Sequence, residues 1–403
     1  MNNGGRGDIC IVFPHEIRYR NKAHYKRISA LADNFNASLV TKGEKFVDPE
    51  ILSRMAKVHV SPFIGGKKDD KLYSRSLGAA GIINHFLYLA TLVRVIMSAS
   101  FKGRAVVYTF PGPHIPFVWF AKLVFRRVVW VADIYDNPAN LITDRYSVKW
   151  WLSKVNNFLQ RAAYRHVDWA FISLAKGSLD EYGIPEDRVA YLTNGVDLKM
   201  FDPEKSEPRD GGRFELVFVG YILKELGMDT LVDAVGLLRE RIPDVRLNLV
   251  GFISEKDRRW LDEAVGAKGL GDAVKFWGTI DSERVPYFLG RMDVCFIPFP
   301  PIKGKDETYP VKMFEFMAMG KAIVSTRLTG VSSVLDDGVD VLLVEPGNAG
   351  AMAEAVFRIY SDPELRKRLE TNALAKSRAY DWRVINDKVV ARLRELMHAP
   401  AKG

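Results

Sequence analysis

Cysteine is nearly absent: the chain has 403 residues and two thiols, Cys10 and Cys295. Both lie in apolar runs that read as buried strands. This excludes a disulfide framework, and neither thiol has metal-ligand spacing around it. A reducing compartment fits. Long apolar runs are also missing. A membrane span needs roughly 18–20 apolar residues, and the nearest candidate, residues 86–101, is interrupted by Arg94. The start, MNNGGRGDICIVF, lacks the basic residues and long apolar core of a signal peptide. The expectation is a cytoplasmic protein, with at most a peripheral contact at the inner face of a membrane. Low-complexity segments, short repeats and the dinucleotide fingerprint GxGxxG are lacking too, and no nucleic-acid-binding motif is present. No metal, no cofactor and no nucleic-acid partner are expected.

What the chain does have is length, an ordinary apolar content and positive charge. Its 403 residues suit two domains of roughly 150–200 residues each. Hydrophobic residues make up 48%, enough for two real cores. The formal net charge of +9 favours anionic partners without choosing among them.

The dominant rhythm is a short β-branched run, a Gly or Pro turn, then an amphipathic segment. DICIVF, ASLV, KVHV, RAVVYTF, RRVVWVADI, DWAFIS and RVAYLT read as strands. Helical patterns separate most of them, as at residues 23–35, 86–100 and 149–165. Such alternation predicts βαβ units and a parallel sheet. The polar, Pro- and Gly-containing segment DPEKSEPRDGGR at residues 202–213 reads as a linker. After it the rhythm restarts with FELVFVG, VRLNLVG, AVKFWG, DVCFIPF, KAIVST and VLLVEP. The expected fold class is α/β, two doubly wound Rossmann-like domains in tandem. The expected bounds are 1–205 and 206–381. A strand-free tail, about 382–403, should form one amphipathic helix that packs back on the first domain.

In open parallel sheets, ligands settle beyond the carboxyl ends of the strands. The loop after LVFVG is YILKELG, where Gly220 permits a tight turn and Lys224 is the only cation. By spacing alone this is an ordinary turn with a solvated lysine. The segment after DVCFIPF is richer. Pro310 suits a helix start and Gly320 its C-terminal end. Lys312 and Glu315 share one face of that helix, and Glu307 precedes it. Met313, Phe314 and Met317 form its buried side. Phosphate donors and hydroxyl acceptors converge there, as a nucleotide sugar requires. The same residues also fit a surface charge pair at a helix start, and spacing leaves the two readings even. In the first half, His114 follows a strand, among prolines, where a base or hydrogen-bonding group at a cleft could sit. A lone loop histidine is more often structural, and the same holds for Asp133 and Asp136. The run RNKAHYKR at residues 20–27 reads as a solvated helix face.

LTNGVDLKMFDP, FVGYILKELGMDTLVDA, VKFWGTIDSERVPYFLGRMDVCFIPF, the run from Tyr309 to Asn348 and AYDWRVINDKV occur in an order and spacing that closely resemble glycosyltransferase family four. The resemblance covers about residue 160 to the end. It implies the GT-B fold, with two Rossmann-like domains facing a cleft, and retaining transfer of a sugar from a nucleotide-sugar donor. A UDP- or GDP-sugar and a glycan or lipid-linked acceptor are implied. The domain 206–381 would hold the donor and the domain 1–205 the acceptor. The family's two glutamates match Glu307, on the donor sugar, and Glu315, on the ribose. Its Pro-x-Lys-x-x-Glu variant matches Pro310, Lys312 and Glu315, preceded by Tyr309. Its Asn-Gly-Val-Asp hinge turn matches Asn194 to Asp197. The chain departs from the pattern at Tyr221 and Leu226, where the family has an Arg and a Lys that grip the diphosphate. Lys224 is the expected substitute, with Glu307 and His114, in catalysis. Gly220, Lys224, Tyr309, Pro310, Lys312 and Glu315 are the expected donor-binding residues.

Two other readings remain in view. The lost Arg and Lys motivate a non-catalytic GT-B partner that only binds nucleotide; retention of both glutamates opposes it. A nucleotide-sugar epimerase would share the fold with a poorer match to the motifs. Separately, WFAKLVFRRVVW and KWWLSK, basic and aromatic together, motivate a contact between the first domain and an anionic membrane.

Overall fold

A computed structural model of the chain describes residues 7–13, 17, 23–62, 79–102, 105–135, 148–206, 212–302 and 306–399. Asp136, residues 20–22 and the linker centre at 207–211 lie outside the described residues. The chain divides into two compact units, Met1–Leu192 with Ile385–Gly403, and Thr193–Val384.

The first unit has strands β1 (Asp8–Val12), β2 (Asn36–Thr41), β3 (Lys57–Val60), β4 (Ala105–Thr109), β5 (Val128–Ile134), β6 (Trp169–Ile172) and β7 (Val189–Tyr191). Helices α1 (Ala23–Asn34), α2 (Pro49–Arg54), α3 (Ala79–Lys102), α4 (Ile115–Val124) and α5 (Val148–Tyr164) connect them. All strand pairs are parallel, in the order β3-β2-β1-β4-β5-β6-β7. Strands covered on both faces read as unbroken apolar runs; every residue of VVWVADI in β5 is buried. Cys10, Val107, Trp130 and Ala132 form one core with Leu92, Ile96, Val118 and Ala163 of α3, α4 and α5. Alternation along β5 sends Asp133 to the opposite face, where Arg27 of α1 meets it.

Residues 83–101 of α3 are, by length and composition, apolar enough to cross a membrane, which corrects the expectation that no such stretch exists. Arg94, the one charged residue within it, falls on the helix's outer side. The inner side, with Tyr88, Leu89, Leu92 and Ile96, is buried in the sheet core. In WFAKLVFRRVVW, Trp130 is fully buried and Val128 and Val129 are core strand. The side chains of residues 149–153 in KWWLSK lie outside the described residues.

The second unit has strands β8 (Phe214–Val219), β9 (Val245–Val250), β10 (Val274–Gly278), β11 (Val294–Ile297), β12 (Ala322–Thr326) and β13 (Leu342–Val344). Its helices are α6 (Met228–Arg239), α7 (Glu255–Ala267), α8 (Val285–Gly290), α9 (Val311–Ala318), α10 (Thr329–Ser332), α11 (Ala349–Ser361) and α12 (Pro363–Ser377). The strand order is β10-β9-β8-β11-β12-β13, again parallel throughout. A last helix, α13 (Trp382–His398), begins at the edge of this unit, and from Ile385 it belongs to the first. Asn386 receives a 2.5 Å bond from Arg27 and donates to the Lys26 carbonyl at 3.1 Å.

The division at Leu192 falls earlier than the expected 205. Residues 193–206 join the second unit because they are built into it. The Val196 backbone bonds to Tyr380 and Trp382, and Val196 and Phe201 are buried in one core with Val217 and Met313. Pro and Gly in DPEKSEPRDGGR marked a loop, and the boundary is set by which core takes the neighbouring apolar side chains.

Candidate functional site

The second sheet reverses its strand order between β8 and β11, and parallel sheets bind ligands beyond the carboxyl ends at such a reversal. In the first unit, Phe13 directly after β1 and Phe110 directly after β4 pack edge to face with centroids 5.0 Å apart. In the second unit the strand exit is lined by glycine. Gly220, directly after β8, has φ +146°, and a Cβ there would lie 2.6 Å from Lys312 Nζ. Gly227, at the start of α6, has φ +82°, and its Cβ would meet the Pro298 carbonyl oxygen, just past β11, at 1.9 Å. Only glycine lets these backbones and the lysine come so close.

Lys312 stands in the first turn of α9. Pro310 precedes that helix as its N-cap residue, with ψ 121°, one position before the first helical residue. Gly320, at φ +57°, follows the C-terminal end. Met313, Phe314 and Met317 are buried, which fixes the helix and turns Lys312 and Glu315 away from that core. The ammonium lies 4.2 Å from the Phe218 ring centroid and 4.5 Å from that of Phe299, and these two rings pack edge to face. The cation is thus held between two aromatic faces at the strand exit.

Each of these two side chains shows part of its surface to solvent, yet protein atoms surround both closely. Burial pushes the Lys312 ammonium down to about 7, against the pull of Glu315. Burial pushes the Glu315 carboxyl up to about 7, against the pull of Lys312. The pair is ready to respond to a third charge. An anion placed beside it raises both values, so bare nucleoside diphosphate should bind with proton uptake. Its affinity is expected to fall as pH rises from about 7 toward 9, by at most about tenfold per unit for each proton taken up. Calorimetry in two buffers of different ionisation enthalpy reads this directly. Lys312→Met should remove the lysine's share of the slope and leave that of Glu315, and a parent that takes up no protons contradicts the electrostatic picture.

Glu307 lies in the loop before α9, part-buried. That loop is clasped from β12's side. The Gly330 N–H donates to the Asp306 carbonyl at 2.8 Å, and a Cβ on Gly330 would come within 2.0 Å of the Thr308 carbonyl oxygen. The Thr329 N–H donates to Asp306 Oδ1 at 3.1 Å. The Thr326 hydroxyl donates to the Phe299 carbonyl at 2.6 Å, fixing the loop after β11. None of Phe218, Phe299, Asp306, Thr326 or Gly330 was singled out from sequence. The run STRLTG was the available signal, a second strand exit with a glycine.

The remaining expected residues fall as follows. Tyr309 is buried, and its carbonyl accepts a 2.6 Å bond from Asn194 Nδ2, which ties the Asn-Gly-Val-Asp turn to the start of α9. Lys224 is exposed in a single helical turn, with its ammonium 5.6 Å from the Trp260 ring centroid on α7. Of the two cations, Lys312 is the one at Gly220. His114 is completely buried just before α4, edge-on to Tyr88. Asp133 is fully buried in its pair with Arg27, so it is structural. Tyr221 is exposed and packs edge-on to Phe252. Among the described residues, no group of three or more His, Cys, Asp or Glu could hold a metal ion.

The two doubly wound units give the chain an α/β fold that solved GT-B structures share. A glycosyltransferase from Rickettsia africae ESF-5 superposes with TM-score 0.73 at 16% identity, over 98% of this chain and 100% of that one. Anabaena Alr3699/HepE, solved in complex with UDP, superposes with TM-score 0.69 at 17% identity, over 96% of this chain and 100% of that one. Residues 213–362 match the family model of glycosyl transferases group 1. The D-inositol 3-phosphate glycosyltransferase of Arthrobacter sp. (strain FB24) is 28% identical over 212 residues, 51% of this chain and 49% of that protein. The chain thus spans about half the length of the curated relatives it matches.

Proposed function

We propose that this protein is a retaining glycosyltransferase of family four, taking a sugar from a nucleotide-sugar donor to a glycan or lipid-linked acceptor. The observation that carries the reading is the Lys312 ammonium, held between Phe218 and Phe299 over Gly220 at the strand-order reversal of a group 1 domain. The N–H groups at the start of α9 and the lysine would take the diphosphate, and Glu315 the ribose hydroxyls. UDP in the Anabaena structure supports a UDP-sugar among the candidate donors. The two buried free thiols suit a cytoplasmic enzyme.

In the reaction the bond from the sugar's anomeric carbon to the diphosphate oxygen breaks. The acceptor hydroxyl attacks from the same face, and its proton passes to the departing diphosphate. Charge grows on that leaving group, so a fixed cation beside it acts mainly on the transition state. Glu307 would hold the sugar hydroxyls. Glu307→Gln should lower transfer by roughly tenfold or more while bare nucleoside diphosphate binds as in the parent, since the bare nucleotide has no sugar for it to hold; a lost charged hydrogen bond costs about 1.5–3 kcal/mol. Equal loss in both measurements would place Glu307 elsewhere.

A thermal-shift screen with UDP-, GDP- and ADP-sugars, followed by donor hydrolysis and transfer assays, tests the whole reading. Tyr221 and Leu226 favour one alternative, a non-catalytic nucleotide-binding partner. Nucleotide binding without hydrolysis or transfer of any donor would make that alternative the better one.

A further inference from the structure

Two neighbouring strands of the second unit end alike. β8 runs into Val219-Gly220-Tyr221-Ile222, and β9 into Val250-Gly251-Phe252-Ile253. Both glycines have positive φ, +146° at Gly220 and +138° at Gly251. A Cβ on Gly251 would lie 1.8 Å from the Gly220 carbonyl oxygen, so the two backbones touch there. The Gly220 N–H donates to the Val250 carbonyl at 2.8 Å, and the Ile222 N–H to the Phe252 carbonyl at 2.9 Å. The tips thus stay in register beyond the sheet. Ile222 is completely buried, and Ile253 packs against the same core. The aromatic residue before each points outward. Tyr221 is 66% exposed and Phe252 55%, and their rings meet edge to face with centroids 6.0 Å apart. A single exposed apolar side chain is ordinary. Two rings set side by side by backbone register, directly after the glycine at which Lys312 lies, make a surface.

We propose that Tyr221 and Phe252 form a ledge on which the base of the donor nucleotide stacks. This rests on the donor reading given above. The order of the strand exits selects the occupant. Glu307, proposed for the sugar, stands in a loop clasped from the β12 side. Lys312, proposed for the diphosphate, lies at the exit of β8. Tyr221 and Phe252 follow β8 and β9, the strands further from β12 in the sheet. A nucleotide sugar has the same sequence of parts: sugar, diphosphate, nucleoside. With its diphosphate at Lys312 and its sugar toward β12, its base comes over β8 and β9. The chemistry agrees. A base presents a flat π face, which an aromatic side chain can meet without a hydrogen bond. A sugar would bring several hydroxyls, and the ledge offers one, on Tyr221. Stacking also tolerates any base, because every base has such a face. The ledge therefore demands a base and leaves its identity to other contacts.

The test is calorimetry of the full chain with UDP, GDP and inorganic pyrophosphate. The parent should bind both nucleoside diphosphates roughly tenfold or more tightly than pyrophosphate. Tyr221→Ala/Phe252→Ala should lose roughly tenfold or more in affinity for UDP and GDP and keep the parent's affinity for pyrophosphate. Its melting temperature without ligand should match the parent's, since both rings lie largely in water. Tyr221→Phe should bind all three ligands as the parent does, because the ring and not the hydroxyl makes the contact. The ledge is overturned if the double alanine variant binds UDP and GDP like the parent. It is equally overturned if that variant loses pyrophosphate to the same extent, because the rings then serve the diphosphate or the fold. A Tyr221→Phe variant as weak as the double alanine variant would overturn it too, by making the hydroxyl the contact. A parent that binds none of the three ligands overturns the donor reading itself, and the ledge with it.

Discussion

Lys312→Ala is expected to lower turnover by about a hundred- to a thousandfold, the size seen when one fixed donor to a developing anion is removed. The ammonium is already stripped of much of its water by Phe218 and Phe299, so it meets a departing diphosphate without reorganising solvent. Its burial also means that it gains most when negative charge peaks, which puts the loss in kcat more than in nucleotide affinity. Lys224→Ala should cost much less. That side chain is exposed, rests against Trp260, and is screened by salt and water. Turnover with the native donor, beside affinity for the bare nucleoside diphosphate, checks both. If Lys312→Ala turns over like the parent, the donor does not sit at Gly220. If Lys224→Ala is the more damaging change, the exposed lysine swings into the site and carries the leaving-group role.

Arg27→Ala should destabilise the first unit by about 3–5 kcal/mol, the usual result of leaving one member of a buried ion pair alone. Arg27 and Asp133 are both fully buried, 2.8 Å apart. Burial works against the guanidinium's charge, and Asp133, with Tyr135 and Tyr108, outweighs it, so the proton is held more firmly than usual. Tyr108 and Tyr135 both donate to the same carboxylate oxygen of Asp133. The guanidinium also bonds to Asn386, so the loss should loosen α13 within this unit. Denaturant unfolding measures the first effect, and hydrogen exchange along α13 the second. Arg27→Met/Asp133→Leu should recover most of the stability, because two apolar side chains leave no charge stranded. A loss below about 1 kcal/mol in the single variant would mean that water reaches the pair and solvates the remaining carboxylate.

The strands and the helices between them were legible from local chemistry. β-branched runs such as VVWVADI and AIVST pack on both faces of a parallel sheet, and that demand is written residue by residue. Helix α9 was legible for the same reason, with Pro310 before it and Gly320 after it. What those residues do was only half legible. Spacing put Lys312 and Glu315 on one face, as a solvated charge pair would also have them. Phe218 comes from β8 and Phe299 from the loop after β11, and their convergence helps to bury the lysine, which lowers its pKa.

Tertiary structure alone decided four further points. His114 looked like a cleft residue because it follows a strand, but the packing of α4 against Tyr88 encloses it. The loop of Glu307 is held by Gly330, over a close approach that no local pattern marks. The boundary at Leu192 depends on which core buries Val196 and Phe201. The outer faces of α3 and α4 are apolar on helices that are also apolar inside, so periodicity could not tell which side meets the sheet. Sequence determines what each segment can bury, because that is a property of its own side chains. Where a segment meets its neighbours, and hence which charges lose their water, depends on residues far away in the chain.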